Sequence, residues 1–107
     1  MREHPLSGGQ PPLPLAGDFE ERERFLRWKD RLFWSRRDNK GKPLSARSRR
    51  YAYAVALSRA IGDNEGQAFI VHDLGIKSGL AAHLDQKQLT RFTVWAEQVA
   101  YIKGVYR

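Results

Sequence analysis

The sequence predicts a small all-α domain, a bundle of four to five helices behind a disordered, Pro/Gly-rich N-terminal arm. Three observations point there. Apolar residues recur at helical spacing in long segments. Ser45 and Asp85 stand where helix N-caps belong, and Gly62 stands where a helix should stop. Four of the five prolines and three of the nine glycines fall within residues 1–17, so the breakers are concentrated at one end.

The arm, residues 1–17, contains the run Gln10-Pro11-Pro12-Leu13-Pro14-Leu15, which suits a polyproline-like segment and neither a helix nor a central strand. Folding is expected from Asp18, making 18–107 a single domain. Asp18 followed by Glu21 matches a capping box that opens a first helix over about 18–35. Phe25, Leu26, Trp28, Leu32 and Phe33 form its apolar arc, and Arg24, Arg27 and Arg31 its opposite, basic side. Trp34 lies off the apolar arc, one turn beyond Arg31, where it either stacks on a base or packs against another helix.

Ser35 to Leu44 reads as a loop from its Asp, Asn, Gly and Pro content, and its four cations make it either a mobile phosphate-gripping element or merely a soluble loop. A second helix runs from its N-cap Ser45 to Ile61, with Gly62 as C-cap. Beyond Tyr51 it is Ala-rich and apolar almost all round, the mark of a central helix, with Tyr51 and Tyr53 as core or boundary residues. Asp63-Asn64-Glu65-Gly66 reads as a turn. Gln67 to Leu84 admits two readings. Phe69-Ile70-Val71 has the composition of a short strand, yet a lone strand has no partner here, which favours helix. The last helix opens at Asp85, with Gln88 completing a capping box, and gathers Leu89, Phe92, Ala96, Val99 and Ala100 on one face with Trp95 at its edge.

Charge is the most informative feature for function. Twelve of the nineteen Lys and Arg lie between Arg22 and Arg50, opposed only by Glu23, Asp30 and Asp38, a local net charge of +9 in a chain of net +7. Arg47, Arg49 and Arg50 occupy the first turns of the second helix, the end where cations oppose the helix dipole. A basic block interleaved with aromatics predicts a polyanionic partner: DNA first, RNA second, an acidic protein surface as the alternative. The absence of cysteine excludes a disulfide framework and thiolate metal sites. With no apolar run long enough for a membrane span and no secretory signal pattern, the expected location is the cytoplasm, with no membrane partner.

Residues 67–84 resemble a helix-turn-helix. Ile70, Val71 and Leu74 match the apolar positions of its first helix, Gly75 the turn, and Ile76, Ala81 and Leu84 the anchors around the second. The resemblance implies a recognition helix in a major groove, with Lys77, Ser78 and His83 as base-reading residues. Val71 replaces the small residue usual at the close helix contact. Gly79 sits inside the implied recognition helix at a cost of about 1 kcal/mol relative to Ala. Leu44-Ser45-Ala46-Arg47-Ser48 with Tyr51 and Leu57 is similar to the start of a helix in the core-binding domain of tyrosine recombinases, which implies DNA clamping.

The expected phosphate contacts are Arg24, Arg27, Arg31, Arg36, Arg37, Lys40, Lys42, Arg47, Arg49 and Arg50, with Trp34 as a stacking residue. No cofactor and no metal site are expected. His72-Asp73 resembles the His-Asp pair of metal phosphohydrolases but lacks the further ligands that fold requires. A non-enzyme is therefore expected, a gene regulator or an accessory factor of a mobile element. The alternative is a basic protein-interaction module anchored by Trp34 and Trp95. A small ribonuclease using His72 and His83 is the third reading.

Overall fold

The computed structural model describes residues 19–107, whose regular elements are all helices, with one isolated backbone bridge between Arg37 and Pro43. The expected arm and the Asp18 cap lie outside the described residues. Four α-helices are formed: α1 (Phe19–Trp34), α2 (Ala46–Ile61), α3 (Asp63–Ala68) and α4 (Gln86–Lys103). α3 runs on into a π-helical turn, Phe69–Asp73, and a short 3-10 turn, Ala81–His83, precedes α4.

The expected caps are present. Ser45 accepts the N–H of Ser48 through its hydroxyl at 3.2 Å and starts α2. At α4 the Asp85 carboxylate accepts from the Gln88 N–H at 2.8 Å, while the Gln88 side chain accepts from the Asp85 N–H at 3.0 Å. Gly104 ends α4 in the left-handed region, with φ of 72°.

α2 is the centre of the molecule. It packs against α1, α3, α4 and the 3-10 turn. Ala54, Leu57 and Ile61 of α2 are buried together with Phe92, Ala96 and Ala100 of α4, so small side chains bring the backbones close. Phe25 carries α1 into this core and meets Tyr101 and Tyr106 edge-on at 5.0 and 5.4 Å between ring centroids. Leu26, expected in the apolar arc of α1, is instead 38% exposed.

The stretch expected to be a turn at Asp63–Gly66 is the first turn of α3. Gly66 is buried there, and a Cβ on it would collide with the Ser58 hydroxyl of α2. The strand alternative for Phe69–Val71 is not taken: these residues are helical, and Ile70 is buried in the common core.

Polar side chains inside the bundle are tied across it. The Tyr53 hydroxyl donates to the Glu97 carboxylate at 2.6 Å, and Lys29 of α1 lies 3.7 Å from the same carboxylate. Three helices therefore share one half-buried polar junction. The Tyr51 hydroxyl donates to the Leu84 carbonyl at 2.6 Å, and the Lys103 ammonium to the Ile61 carbonyl at 2.8 Å. At the chain end Arg107 donates two hydrogen bonds to Glu21, at 3.0 and 3.2 Å, and holds that carboxyl below its ordinary range.

Burial, reinforced by the Glu97 charge and its hydrogen bond, pushes the Tyr53 phenol far above the ordinary value of 10.0. The unfolded chain ionises this group near 10, and the folded chain only well beyond it. Its contribution is therefore whole below pH 10 and falls as pH rises further, since only the unfolded form then gains by losing the proton. Tyr53→Phe should cost about 1–2 kcal/mol at neutral pH. It should also flatten the decline of stability above pH of about 10, as read from urea midpoints. An equally steep alkaline decline in the variant would show that Tyr53 is not the titrating group.

Candidate functional site

The C-terminal end of α1, the loop 35–45 and the first turns of α2 form one corner of the molecule, and most of the basic block gathers there. The loop is closed on itself by hydrogen bonds. One Asp38 carboxylate oxygen accepts the N–H groups of both Lys40 and Lys42 at 2.9 Å. The Asp38 N–H donates to the Lys42 carbonyl at 2.9 Å and the Gly41 N–H to the Asp38 carbonyl at 3.0 Å, with Gly41 at φ of 80°. The ring of hydrogen bonds engages the loop's one carboxylate with backbone N–H groups and leaves Arg36, Arg37, Lys40 and Lys42 exposed.

The other two acidic residues of the block are occupied as well. Asp30 accepts from the Trp34 indole N–H at 3.1 Å, and Glu23 pairs with Arg27 at 4.0 Å. Among the described residues no carboxylate lies within salt-bridge distance of Arg31, Arg36, Arg37, Lys40, Lys42, Arg47 or Arg50. All seven are exposed. Arg47 and Arg50 stand beside the positive end of the α2 dipole, whose first turn carries no acidic residue. The corner thus concentrates unpaired positive charge that an anion would neutralise.

Arg49 departs from expectation. It is only 7% exposed, turned into the protein and not outward as a phosphate contact was expected to be. Its guanidinium lies 4.5 Å from the Trp34 ring centroid and 5.9 Å from that of Phe33, and its Nη2 donates to the Leu44 carbonyl at 2.8 Å. Arg49 shares the face of α2 that carries Tyr53, Ala56 and Leu57, one and two turns on, so helical periodicity turns it inward. It fastens α1 to α2 through a cation–π contact.

Trp34 stays 58% exposed although Arg49 covers one part of it and Phe33 meets it edge-on at 5.0 Å. Trp95, expected at the edge of its helix's apolar face and as an anchor in the protein-interaction alternative, is half-buried and stacked on Phe69 at 4.3 Å. Arg24 and Arg27 are exposed but stand apart from the corner. They lie about 10–15 Å up α1 from Trp34, and Arg24 is 3.9 Å from Glu21.

The expected recognition helix is not formed. After Gly75, at φ of 72°, the chain makes a turn through Ile76 to Gly79, with Gly79 at φ of 68° and Leu80 extended. Two left-handed glycines four residues apart cannot belong to one right-handed helix. Ala81 and Leu84 are buried as the anchors should be, while only the three residues Ala81–His83 wind, as a 3-10 turn. Lys77, Ser78 and His83 are exposed on this irregular segment, and the Ser78 hydroxyl accepts the Leu80 N–H at 3.3 Å. They do not form a rigid base-reading row. The Tyr51 bond to Leu84 holds this segment alongside the first half of α2.

Two structural roles escaped the sequence reading, those of Asp30 and Asp38. Both had a signal: Asp30 stands four residues before Trp34, and Asp38-Asn39-Lys40-Gly41 has the composition of an Asx turn. Among the described residues no group of three or more His, Asp or Glu is placed to hold a metal ion, and no helix is long and apolar enough to cross a membrane. No protein-family model, curated protein or solved structure matches the chain.

Arg49→Ala should lower stability by about 2 kcal/mol through loss of the stack and the Leu44 bond. Arg49→Lys should recover less than half of that, because an ammonium cannot lie flat on an indole. Urea denaturation of the two variants measures both values. Full recovery by lysine would show that charge alone matters there.

Proposed function

We propose that this domain binds nucleic acid by gripping the sugar-phosphate backbone at the corner between α1 and α2. The carrying observation is the set of seven exposed cations without carboxylate partners, placed around the N-terminus of α2, while the block's three acidic residues are engaged elsewhere. Arginine donates in a planar fork that matches phosphate oxygens, and five of the seven are arginines. Without a helix to enter the major groove, affinity comes from the backbone and varies little with sequence. Double-stranded DNA remains the first polymer to test and RNA the second. An accessory role, in which the domain holds or covers nucleic acid for another factor, suits such binding better than selection of one operator.

A titration of labelled duplex, single-stranded DNA and RNA across a salt series tests this. Log affinity should fall steeply and linearly with log salt. Arg36→Ala/Arg37→Ala and Arg47→Ala/Arg50→Ala should each reduce the slope by about 2 and weaken all sequences alike. Absence of binding at low salt, or unchanged binding by both double variants, removes the proposal. A saturable complex with an acidic protein instead would turn the corner into a protein-docking surface.

A further inference from the structure

Trp34 is the exposed member of three tryptophans. Trp28 is half-buried and packs on Phe25 at 6.1 Å, and Trp95 is stacked on Phe69. Trp34 is also the most tightly held for its exposure. The Arg49 guanidinium lies over the ring, the Phe33 ring meets it at 84°, and the indole N–H donates to Asp30 within the same helix. With its one hydrogen-bond donor engaged, the indole has no polar contact to offer a partner. What remains is a fixed aromatic surface, ordered before any ligand arrives.

The surroundings decide what that surface suits. Arg31 lies one turn before Trp34, Arg36 and Arg37 follow it by two and three residues, and none of the three has a carboxylate partner among the described residues. A stacked nucleobase brings phosphates on both sides and so meets those cations. An apolar protein side chain brings no such charge. Inside a duplex, base faces are covered by their neighbours and only edges are open, so a flat ring gains nothing from paired DNA.

We infer that Trp34, held by Arg49 and Asp30, is a stacking platform for one unpaired base, so that the corner prefers single-stranded DNA or RNA to duplex. This rests on the nucleic-acid reading of the corner, and the test separates the two. Three labelled ligands of about a dozen nucleotides are compared: an oligo-dT, an oligo-U, and an abasic strand with the same phosphates and no bases. A blunt duplex serves as the fourth.

The native protein should bind the two base-bearing strands about tenfold more tightly than the abasic strand. Trp34→Ala should abolish that difference while steeply salt-dependent binding of all four ligands persists. Trp34→Phe should restore part of it, which guards against a loss of fold being read as a loss of stacking. In a Trp28→Phe/Trp95→Phe background, base-bearing strands should quench the fluorescence of the remaining Trp34 and the abasic strand should not. Equal binding of based and abasic strands, or a Trp34 emission indifferent to bases, overturns the platform and leaves the phosphate-binding corner standing. Failure of every strand at low salt overturns both. Saturable quenching of Trp34 by an acidic peptide, with no response to bases, also overturns it and gives the ring to a protein partner. A larger gain with oligo-U than with oligo-dT would mark RNA as the source of the base, and the reverse would mark DNA.

Discussion

α2 is enclosed by α1, α3 and α4, and the rest of the structure depends on that enclosure. Three neighbours can surround one helix only where its side chains are small or shared, which is why Ala54 is buried in one cluster with Ala96 and Ala100 and Gly66 sits against Ser58. Packing this close makes an unpaired polar atom costly, and among the described residues the Arg49 Nε is the buried side-chain atom left without a partner. Tyr53 and Lys29 accordingly meet at Glu97, and Lys103 closes the end of α2 at Ile61. Most of the exposed residues of α2 lie in its first turns, with Arg59 exposed near the other end, so most of the helix's charge collects at its N-terminal end.

Arg49 is where this constraint is tested hardest. A buried guanidinium with no carboxylate within reach is expensive, and its Nε finds no hydrogen-bond partner among the described residues. Two aromatic faces and one backbone carbonyl replace water around it. Those groups solvate the ion without cancelling its charge. Arg49 therefore adds to the positive field of the exposed cations above it. One side chain fixes the angle between α1 and α2, orders Trp34, and keeps the corner electropositive. A carboxylate in its place would have given a more ordinary ion pair and a weaker anion site.

The fold was legible wherever local chemistry agreed with packing. Ser45, Gly62 and the Asp85–Gln88 pair marked helix ends that the structure keeps, and the alanine-rich run after Tyr51 announced a central helix. Legibility failed where two local signals competed. Ile76, Ala81 and Leu84 have the spacing of recognition-helix anchors and are at least partly buried, but the left-handed glycines at 75 and 79 bring them inward along an irregular path. Burial patterns alone do not distinguish a helix from a loop that delivers the same residues. The basic block was visible in composition. The inward turn of Arg49 and the loop-closing role of Asp38 depend on which face each side chain takes, and charge counting does not contain that information.

The corner has its own energetic tension. Seven unpaired cations repel one another, and Arg47 and Arg50 oppose the α2 dipole as well. The Asp38 ring and the Arg49 clamp hold this arrangement in place against its own repulsion. A sequence selected for stability alone would put acidic residues in the first turn of α2, where they favour the helix. A polyanion bound there relieves the repulsion and favours the folded state in the same step, because only the folded chain presents the cations together. The local penalty and the proposed binding are thus two sides of one charge distribution. Its strength should depend on ionic strength in opposite senses, salt easing the strain in the free domain while weakening the hold on its ligand.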